Sequence, residues 1–299
     1  RNRLTTVASR STQAAQAYAK EWGIPRTHGS YEALLADPEV DVIYVPLPNA
    51  LHAEWSIKAL EAGKNVLCEK PMALSVQEAD SMTAASRASG KALAEAFMYM
   101  HHPQTRRVKE LVDSGKLGRL QLIRGAFTFT LKREGDVRLK TELGGGSIWD
   151  VGCYPISYAR LLAGAEPQEV FGWQLPQGSG VDMSFVGQMR FPDGVLAQFD
   201  CGFQSPGRAF MEVVGSDGTM HIASPFKPGR DERVEIRLGD KTEKLIIRGQ
   251  ELYAGEVEDM ADAVLNGEKP RVSLAQSRGN VAAIAALLES ARTGKPVRI

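Results

Sequence analysis

The sequence has few cysteines, no excess of charge of either sign and no long hydrophobic run. Its three cysteines, Cys68, Cys153 and Cys201, lie far apart without a C-x-x-C pair, which argues against a disulfide framework or a metal site and is typical of a reducing compartment. Because 36 basic residues balance 36 acidic ones, we expect neither nucleic acid nor a membrane surface as a partner. No apolar run reaches the roughly 20 residues that cross a bilayer. We expect a cytoplasmic protein; a periplasmic one stays open, since Arg1 is not methionine and a signal peptide could precede it.

The chain has 299 residues, enough for two domains. Over the first hundred, short apolar strands alternate with helices that end at glycine, which is typical of a parallel sheet with helical crossovers. The expected strands are residues 4–8, 40–45, 65–68 and 92–99. We predict a nucleotide-binding domain over residues 1–102, built as a partial Rossmann, doubly wound α/β fold.

After Pro103 the pattern changes to longer alternating segments. Strands are expected at residues 120–131, 169–173, 184–190, 195–203, 209–214 and 234–238, with helices at 148–162, 254–265 and 274–293. Residues 103–299 therefore predict an α+β domain with an open-faced, mostly antiparallel sheet. Such a sheet exposes apolar area, so we expect it to pair with a copy of itself in a homodimer or homotetramer.

The glycine loop that opens a Rossmann fold is missing from this sequence. That fold normally begins with a strand, then G-x-G-x-x-G, then a helix whose N-terminus binds the pyrophosphate. Either the given sequence omits an N-terminal segment of about 30 residues, or the protein is a variant that has lost it. The apparently intact sites downstream favour the first explanation.

Ser9 and Arg10 directly follow the first expected strand. An acidic side chain at this place binds the ribose hydroxyls of NAD, whereas an arginine can pair with the 2′-phosphate of NADP. The alternative is an exposed arginine beside the start of a helix. We interpret the pair as an NADP contact, with NAD possible.

Two further motifs carry candidate chemistry. In Glu69-Lys70-Pro71 the proline disfavours helix at Lys70, which stays at the carboxyl edge of the sheet, where ligands of α/β folds bind. Downstream, three glycines at 144–146 permit close approach of the backbone to a ligand, and a helix starting near Ser147 would place Asp150 and Tyr154 on one face. The alternatives are an exposed lysine and a packed helix with a buried tyrosine.

Together these motifs resemble the Gfo/Idh/MocA oxidoreductase family. The likeness includes the EKP motif, the G-G-G-x-x-x-D-V-G-x-Y-P segment, Ala96-Phe97-Met98-Tyr99 and the pair Tyr253 and Glu256. It covers nearly the whole chain and is strongest to the branch with glucose-fructose oxidoreductase, xylose dehydrogenase and dihydrodiol dehydrogenase. Met100 departs from the arginine that many relatives carry, which leaves the substrate pocket open.

The resemblance implies a role for individual residues. Lys70 would be the catalytic lysine, touching cofactor and substrate. Tyr154 would be the general acid/base, with a pKa lowered by Lys70 and by the nicotinamide, and Asp150 would bind a substrate hydroxyl. It also implies cofactor contacts from Pro48, Asn49, His52 and Glu69, and pocket positions for Tyr99 and Arg138. His52 has an alternative as an ordinary residue at the start of a helix.

The sequence thus predicts an enzyme that transfers a hydride between NADP and a sugar, anhydrosugar or diol. The first alternative is a non-catalytic sugar-binding or oligomer-forming protein that has lost cofactor binding, and the second is redox-assisted glycoside cleavage. We expect no metal, because the adjacent His101 and His102 would point opposite ways on an extended segment.

Overall fold

The computed structural model describes residues 1–176 and 180–299. The helices are α1 (Thr12–Trp22), α2 (Tyr31–Leu35), α3 (His52–Glu61), α4 (Val76–Ser89), α5 (Pro103–Asp113), α6 (Cys153–Ala163), α7 (Ala254–Asn266) and α8 (Leu274–Thr293). The strands are β1 (Thr6–Ala8), β2 (Arg26–His28), β3 (Val42–Val45), β4 (Asn65–Glu69), β5 (Leu93–Ala96), β6 (Leu120–Thr130), β7 (Glu169–Pro176), β8 (Asp182–Arg190), β9 (Leu196–Gly202), β10 (Gln204–Gly215), β11 (Gly218–Ile222), β12 (Asp231–Leu238), β13 (Lys241–Arg248) and β14 (Val297–Arg298).

The first five strands form two parallel sheets. β1 pairs with β2, and a second sheet has the order β3-β4-β5. In the doubly wound order one more strand lies between the equivalents of β1 and β3. Within the described residues β1 pairs only with β2 and β3 pairs only with β4, so no strand lies between β1 and β3. The topology agrees with the partial Rossmann fold that the sequence predicts.

Local sequence signals explain where the crossover helices begin and end. The Ser75 hydroxyl accepts a hydrogen bond from the Glu78 backbone N–H at 3.1 Å, and the Glu78 carboxylate accepts one from the Leu74 N–H at 2.9 Å. Gly23 and Gly90 end α1 and α4 with φ of +65° and +67°, a left-handed conformation that glycine adopts without a steric penalty. These contacts set the lengths of the helices that cover the parallel strands.

The C-terminal part contains a nine-stranded sheet in the order β13-β12-β11-β10-β6-β9-β8-β7-β14. All its pairs are antiparallel except β6 with β9, so the sheet is mixed. In β8 buried Phe185 and Met189 alternate with exposed Val186, which is the period of a strand with one buried face. Helices α6 and α8 pack on the buried face, against β6 and β7.

One hydrophobic core joins the two parts of the chain. Buried side chains of β4 and the segment after β5, such as Cys68 and Phe97, belong to the same cluster as Ile123 of β6 and Ile284 of α8. Among residues 1–176 and 180–299 no helix is both long and apolar enough to span a membrane. The shared core holds the carboxyl edge of β3, β4 and β5 against the N-terminal end of α6.

Candidate active site

The two motifs singled out in the sequence meet at Lys70. The Lys70 ammonium donates hydrogen bonds to the Asp150 backbone oxygen at 2.6 Å and to Asp150 Oδ1 at 3.2 Å. The same nitrogen lies 5.1 Å from the centre of the Tyr154 ring. Residues that are 80 and 84 positions apart in the chain are therefore direct neighbours. The predicted convergence of lysine, aspartate and tyrosine is present in the fold.

Asp150 is bound from a second side by Arg138. Arg138 Nε donates to Asp150 Oδ2 at 2.7 Å, and Arg138 Nη1 donates to Asp136 Oδ1 at 3.2 Å. Burial alone would raise the pKa of Asp150, but the charges of Lys70 and Arg138 outweigh it and the pKa lies below its ordinary value. Asp150 is consequently a carboxylate at neutral pH, held between two cations.

Lys70 stays an ammonium in this environment. Burial would lower the pKa of Lys70, but the negative charges of Asp150 and Glu69 oppose this and the pKa ends above its usual value. Only 13% of the Lys70 side chain is exposed, so its charge acts at close range on the groups around it.

Tyr154 lies in an aromatic environment. Its ring makes edge contacts with Phe97 and Phe127, each with centroids 5.3 Å apart, and its hydroxyl contacts the Met98 sulfur at 3.6 Å. Burial raises the pKa of Tyr154, and the Lys70 charge opposes this without reversing it. The sequence-based expectation of a lowered pKa is wrong for the protein alone, because desolvation of the phenolate outweighs one cation.

The glycine segment before Asp150 is packed closely against the nucleotide-binding part. Asn49 Nδ2 donates to the Gly144 carbonyl at 2.9 Å. Gly144 has φ of +73°, and a Cβ there would come within 2.4 Å of Leu74 Cδ1, so no other residue fits without displacement. The close approach seen here is to Asn49 and Leu74, and the approach to a ligand that the three glycines predict stays a prediction.

The helix that follows the glycines does not begin as a regular α-helix. Residues Ile148–Gly152 form a π-helical turn before α6 starts. The expected α-helical i, i+4 relation of Asp150 and Tyr154 is therefore corrected, since a π turn contains more residues. Both side chains nevertheless face Lys70. Single π turns of this kind often occur at functional sites.

His52 and Glu69 have contacts that bear on their predicted roles. The two ring nitrogens of His52 lie 2.8 Å from the Pro71 oxygen and 2.7 Å from the Leu47 oxygen, so the ring links the loops after β3 and β4. Burial lowers the pKa of His52. The Glu69 carboxylate accepts hydrogen bonds from the Tyr44 hydroxyl and from the Lys70 backbone N–H. Both residues lie beside Lys70, and their contact with a cofactor stays a prediction.

Ser9 and Arg10 lie at the carboxyl end of β1, as expected. The Ser9 backbone N–H donates to the His28 oxygen at 3.2 Å, and Ser11 caps α1. Arg10 is exposed and forms no ion pair with any residue in the described ranges. Pro48 precedes a short 3₁₀ turn at Asn49–Leu51, at the carboxyl end of β3.

Tyr99, predicted as a pocket residue, lies in the hydrophobic core instead. It is completely buried, and its hydroxyl is 2.6 Å from Ser157 Oγ. Its ring stacks on Tyr158 and lies 5.9 Å from Tyr154. The reason is that β5 ends at Ala96, earlier than expected, and a 3₁₀ turn over Met98–His101 directs Tyr99 into the core.

Two carboxylates of the site carry no signal in the sequence. Asp136 holds Arg138, and Asp182, from β8, bonds the segment before Asp150. Their partners can be known only from the fold, since Asp182 lies 32 positions beyond Asp150. A cavity of about 380 Å³ is lined by residues that include Glu95, Ser157, Arg160 and Asn280, and its lining does not include Lys70 or Tyr154.

Family profiles match both parts of the chain. Residues 1–97 match the oxidoreductase family with an NAD-binding Rossmann fold, and residues 105–221 match the GFO/IDH/MocA C-terminal domain. Similar curated proteins include D-xylose 1-dehydrogenase (NADP(+)) 2 of Haloferax volcanii, which is 38% identical over 98% of this chain and 91% of its own length. A dTDP-3,4-didehydro-2,6-dideoxy-alpha-D-glucose 3-reductase of Actinomadura kijaniata is 35% identical over 97% of this chain and 87% of its own length.

Solved structures share the fold over nearly the whole chain. An aldose-aldose oxidoreductase from Caulobacter crescentus, complexed with glycerol, has a TM-score of 0.91 at 26% identity and covers 99% of this chain and 92% of its own. A 3-ketoreductase from Actinomadura kijaniata, in complex with NADP and TDP-benzene, has a TM-score of 0.91 at 33% identity. It covers 96% of this chain and 89% of its own.

We predict that Asp150→Asn lowers the free energy of unfolding at pH 7 by about 3 kcal/mol, because Lys70 and Arg138 then face a neutral amide. The pKa of Asp150 is lower in the folded than in the unfolded state, so its stabilisation is present above the unfolded pKa of about 4 and is lost as the pH falls through the folded pKa. The difference between the two proteins should therefore shrink below pH 4. Urea denaturation at pH 7 and pH 3 measures it.

The matched control is Asp240→Asn, in an exposed turn, which should leave the stability unchanged at both pH values. Equal stability of Asp150→Asn and the unsubstituted protein at pH 7 would show that the two cations do not depend on this carboxylate.

Proposed function

The chain belongs to the GFO/IDH/MocA oxidoreductase family, and from this premise we propose that it transfers a hydride between NADP and a hydroxyl or carbonyl carbon of a sugar, anhydrosugar or diol. We assign residues 1–102 to cofactor binding and 103–299 to substrate binding and self-association. The observation that carries the proposal is the contact of the Lys70 ammonium with Asp150 and with the Tyr154 ring.

The residues at the carboxyl ends of β1, β3 and β4 fit a dinucleotide. Arg10 offers an exposed guanidinium without an ion-pair partner among the described residues, which suits the 2′-phosphate of NADP, with Ser9 adjacent. We propose further cofactor contacts from Pro48, Asn49, His52, Glu69 and Lys70. Asn49 and His52 would contact the cofactor from fixed positions, because Asn49 is hydrogen-bonded to the glycine segment and His52 to the loop after β4. When bound, the nicotinamide supplies or accepts the hydride at C4.

We assign the proton transfer to Tyr154. Because burial keeps its pKa high, Tyr154 is a phenol at neutral pH, and in reduction it donates this proton to the substrate oxygen. The Lys70 ammonium, 5.1 Å from the ring centre, stabilises the phenolate that remains. In oxidation the same phenolate removes the proton of the substrate hydroxyl. Asp150 and Arg138 hold substrate hydroxyls, with carboxylate and guanidinium as acceptor and donor.

The relatives support the substrate class and the cofactor. Proteins named as a D-xylose dehydrogenase and a deoxysugar 3-reductase match nearly the whole chain, and trans-1,2-dihydrobenzene-1,2-diol dehydrogenases match about three quarters of it. The xylose enzyme is named for NADP, and a similar structure contains NADP. A polyhydroxylated carbon chain or ring is therefore the substrate class that we propose.

We predict that Tyr154→Phe in the full-length protein lowers kcat for its best aldose or diol by about 10²- to 10⁴-fold, because the proton donor is lost. The Kd for NADPH, measured by fluorescence titration, should stay within about twofold, since the phenol does not anchor the dinucleotide. Tyr158→Phe is the matched control, one helical turn later and fully buried, and should retain activity. Undiminished turnover in Tyr154→Phe would refute the role of this residue, and absent NADPH binding by the unsubstituted protein would favour a non-catalytic protein.

We predict that Arg10→Ala weakens NADPH binding by about 10- to 100-fold, the loss expected for a charge-assisted pair with a phosphate. NADH, which lacks the 2′-phosphate, should bind equally well to both proteins. Lys20→Ala, an exposed cation on α1, is the control and should leave both affinities unchanged. If Arg10→Ala weakens NADH and NADPH equally, Arg10 does not select the phosphate.

We also propose that the exposed face of the nine-stranded sheet binds a second copy of the chain. Trp173 of β7 is opposite Val186 of β8 in the strand register, and both are about half exposed, as is Leu196 of β9. Apolar side chains grouped on one sheet face are typical of an interface. The dimer would leave the site near Lys70 on the opposite, helix-covered side of the sheet.

We predict that the protein is a dimer or tetramer at micromolar concentration and that Val186→Glu with Leu196→Lys shifts it towards the monomer, because charges would be buried at the interface. Sedimentation velocity measures the mass. The control is Leu265→Lys, an exposed apolar residue on α7, which should not change the assembly. A monomeric mass for the unsubstituted protein would contradict the proposal.

A further inference from the structure

Asp182 is the first residue of β8 and has no role in the function proposed above. Its Oδ2 accepts a hydrogen bond from the Ser147 hydroxyl at 2.5 Å and one from the Ile148 backbone N–H at 2.8 Å. Both donors lie directly before Asp150. The carboxylate is thus bonded to the segment that carries the proposed substrate-binding and proton-transferring residues.

The contact is tightly packed and buried. Asp182 is 4% exposed and Ser147 is fully buried. A Cβ at Gly146, which has φ of +119°, would come within 2.3 Å of Asp182 Oδ1. The last of the three glycines is therefore required by this aspartate, in addition to its left-handed backbone.

Asp182 occupies the place of a helix cap. The Asp150 N–H donates to the Gly146 oxygen at 3.1 Å, so the helical turn begins at the glycines and the Ile148 N–H has no partner inside the helix. A carboxylate at this end satisfies a free N–H and interacts favourably with the helix dipole. Here the cap comes from a neighbouring strand and not from the residue before the helix, so it also fixes the position of the helix on the sheet.

The Asp182 carboxylate is ionised at pH 7, although burial opposes its charge. Burial raises the pKa of Asp182 to about 6, and the donors Ser147 and Ile148 limit the rise. The Cys201 thiol of β9 faces the same place, 3.6 Å from the Ser147 oxygen. At pH 7 the carboxylate is therefore charged and accepts both hydrogen bonds.

We propose that Asp182 is a positioning residue for the reaction: it holds the turn over Ile148–Gly152 so that Asp150 and Tyr154 both face Lys70. The inference rests on the proposed function for its kinetic consequence. The placement of the turn can be tested without measuring turnover. The structural inference and the proposed function can therefore fail separately.

The kinetic test compares three variants of the full-length protein. Asp182→Ala removes both hydrogen bonds, and kcat should fall about 10- to 100-fold, as small misplacements of reacting groups do, while the Kd for NADPH stays unchanged. Asp182→Asn should retain most of kcat, because its amide oxygen in the place of Oδ2 can accept from both the Ile148 N–H and the Ser147 hydroxyl. Asp231→Ala, an exposed aspartate that likewise begins a strand, is the matched control and should have no effect.

The structural test uses Trp149, which lies inside the π turn and is 8% exposed. In protein labelled with 5-fluorotryptophan, its fluorine resonance is identified by its absence from Trp149→Phe. In Asp182→Ala this resonance should shift or broaden, while those of Trp22, Trp55 and Trp173 stay in place. Asp182→Asn and Asp231→Ala should give the unsubstituted spectrum.

Ser147→Ala keeps the carboxylate and removes one of its two bonds, so it tests the inference if Asp182→Ala does not fold. It should shift the same resonance and lower kcat by about 2- to 10-fold, the effect of one hydrogen bond. An unchanged Trp149 resonance in Asp182→Ala, or in Ser147→Ala if the first does not fold, would overturn the inference. A shifted resonance with no loss of kcat would overturn its kinetic part. A protein without any sugar or diol turnover would instead refute the proposed function.

Discussion

The ammonium of Lys70 against the carbonyl and carboxylate of Asp150 is the contact on which the site depends. It joins the end of β4 to the turn before α6, two segments that the chain separates by 80 residues. A charge that is buried to this degree destabilises a fold unless it is paired, so each of the two groups requires the other. Arg138 adds a second cation to Asp150, which makes the carboxylate the centre of the network.

The electrostatics of the site combine two opposed effects. Burial among aromatic rings disfavours the phenolate of Tyr154, whereas the Lys70 charge favours it. Burial prevails in the protein alone, so the tyrosine is a neutral phenol at rest. The low-dielectric surroundings that raise its pKa also strengthen the interaction with Lys70 once a phenolate forms. The pKa values of the lysine and the tyrosine therefore depend on each other, and both depart from their ordinary values.

Hydrogen bonds from other side chains hold the backbone around Lys70 and Asp150 in place. His52 links the loops after β3 and β4, and Asn49 connects the first of them to Gly144. Asp182 holds the other end of the glycine segment. Each of these side chains bonds to backbone atoms, so the positions of Lys70 and Asp150 follow from the scaffold as well as from their mutual attraction. Such preorganisation is what hydride and proton transfer between fixed groups requires.

Much of this protein could be predicted from local patterns. Helix α8 has the predicted bounds. Lys70, Asp150 and Tyr154 can be singled out from the sequence because each stands in a short motif, and the resemblance to a known family gives these motifs their weight. Strand β13 was missed, since its exposed, charged residues at one edge of the sheet lack the apolar alternation of a buried strand. The inward position of Tyr99, the π turn, the raised pKa of Tyr154 and the cap by Asp182 depended on the tertiary structure. Capping and turn signals act through neighbours in the chain, whereas burial, desolvation and cross-strand hydrogen bonds depend on residues that the fold brings from far away.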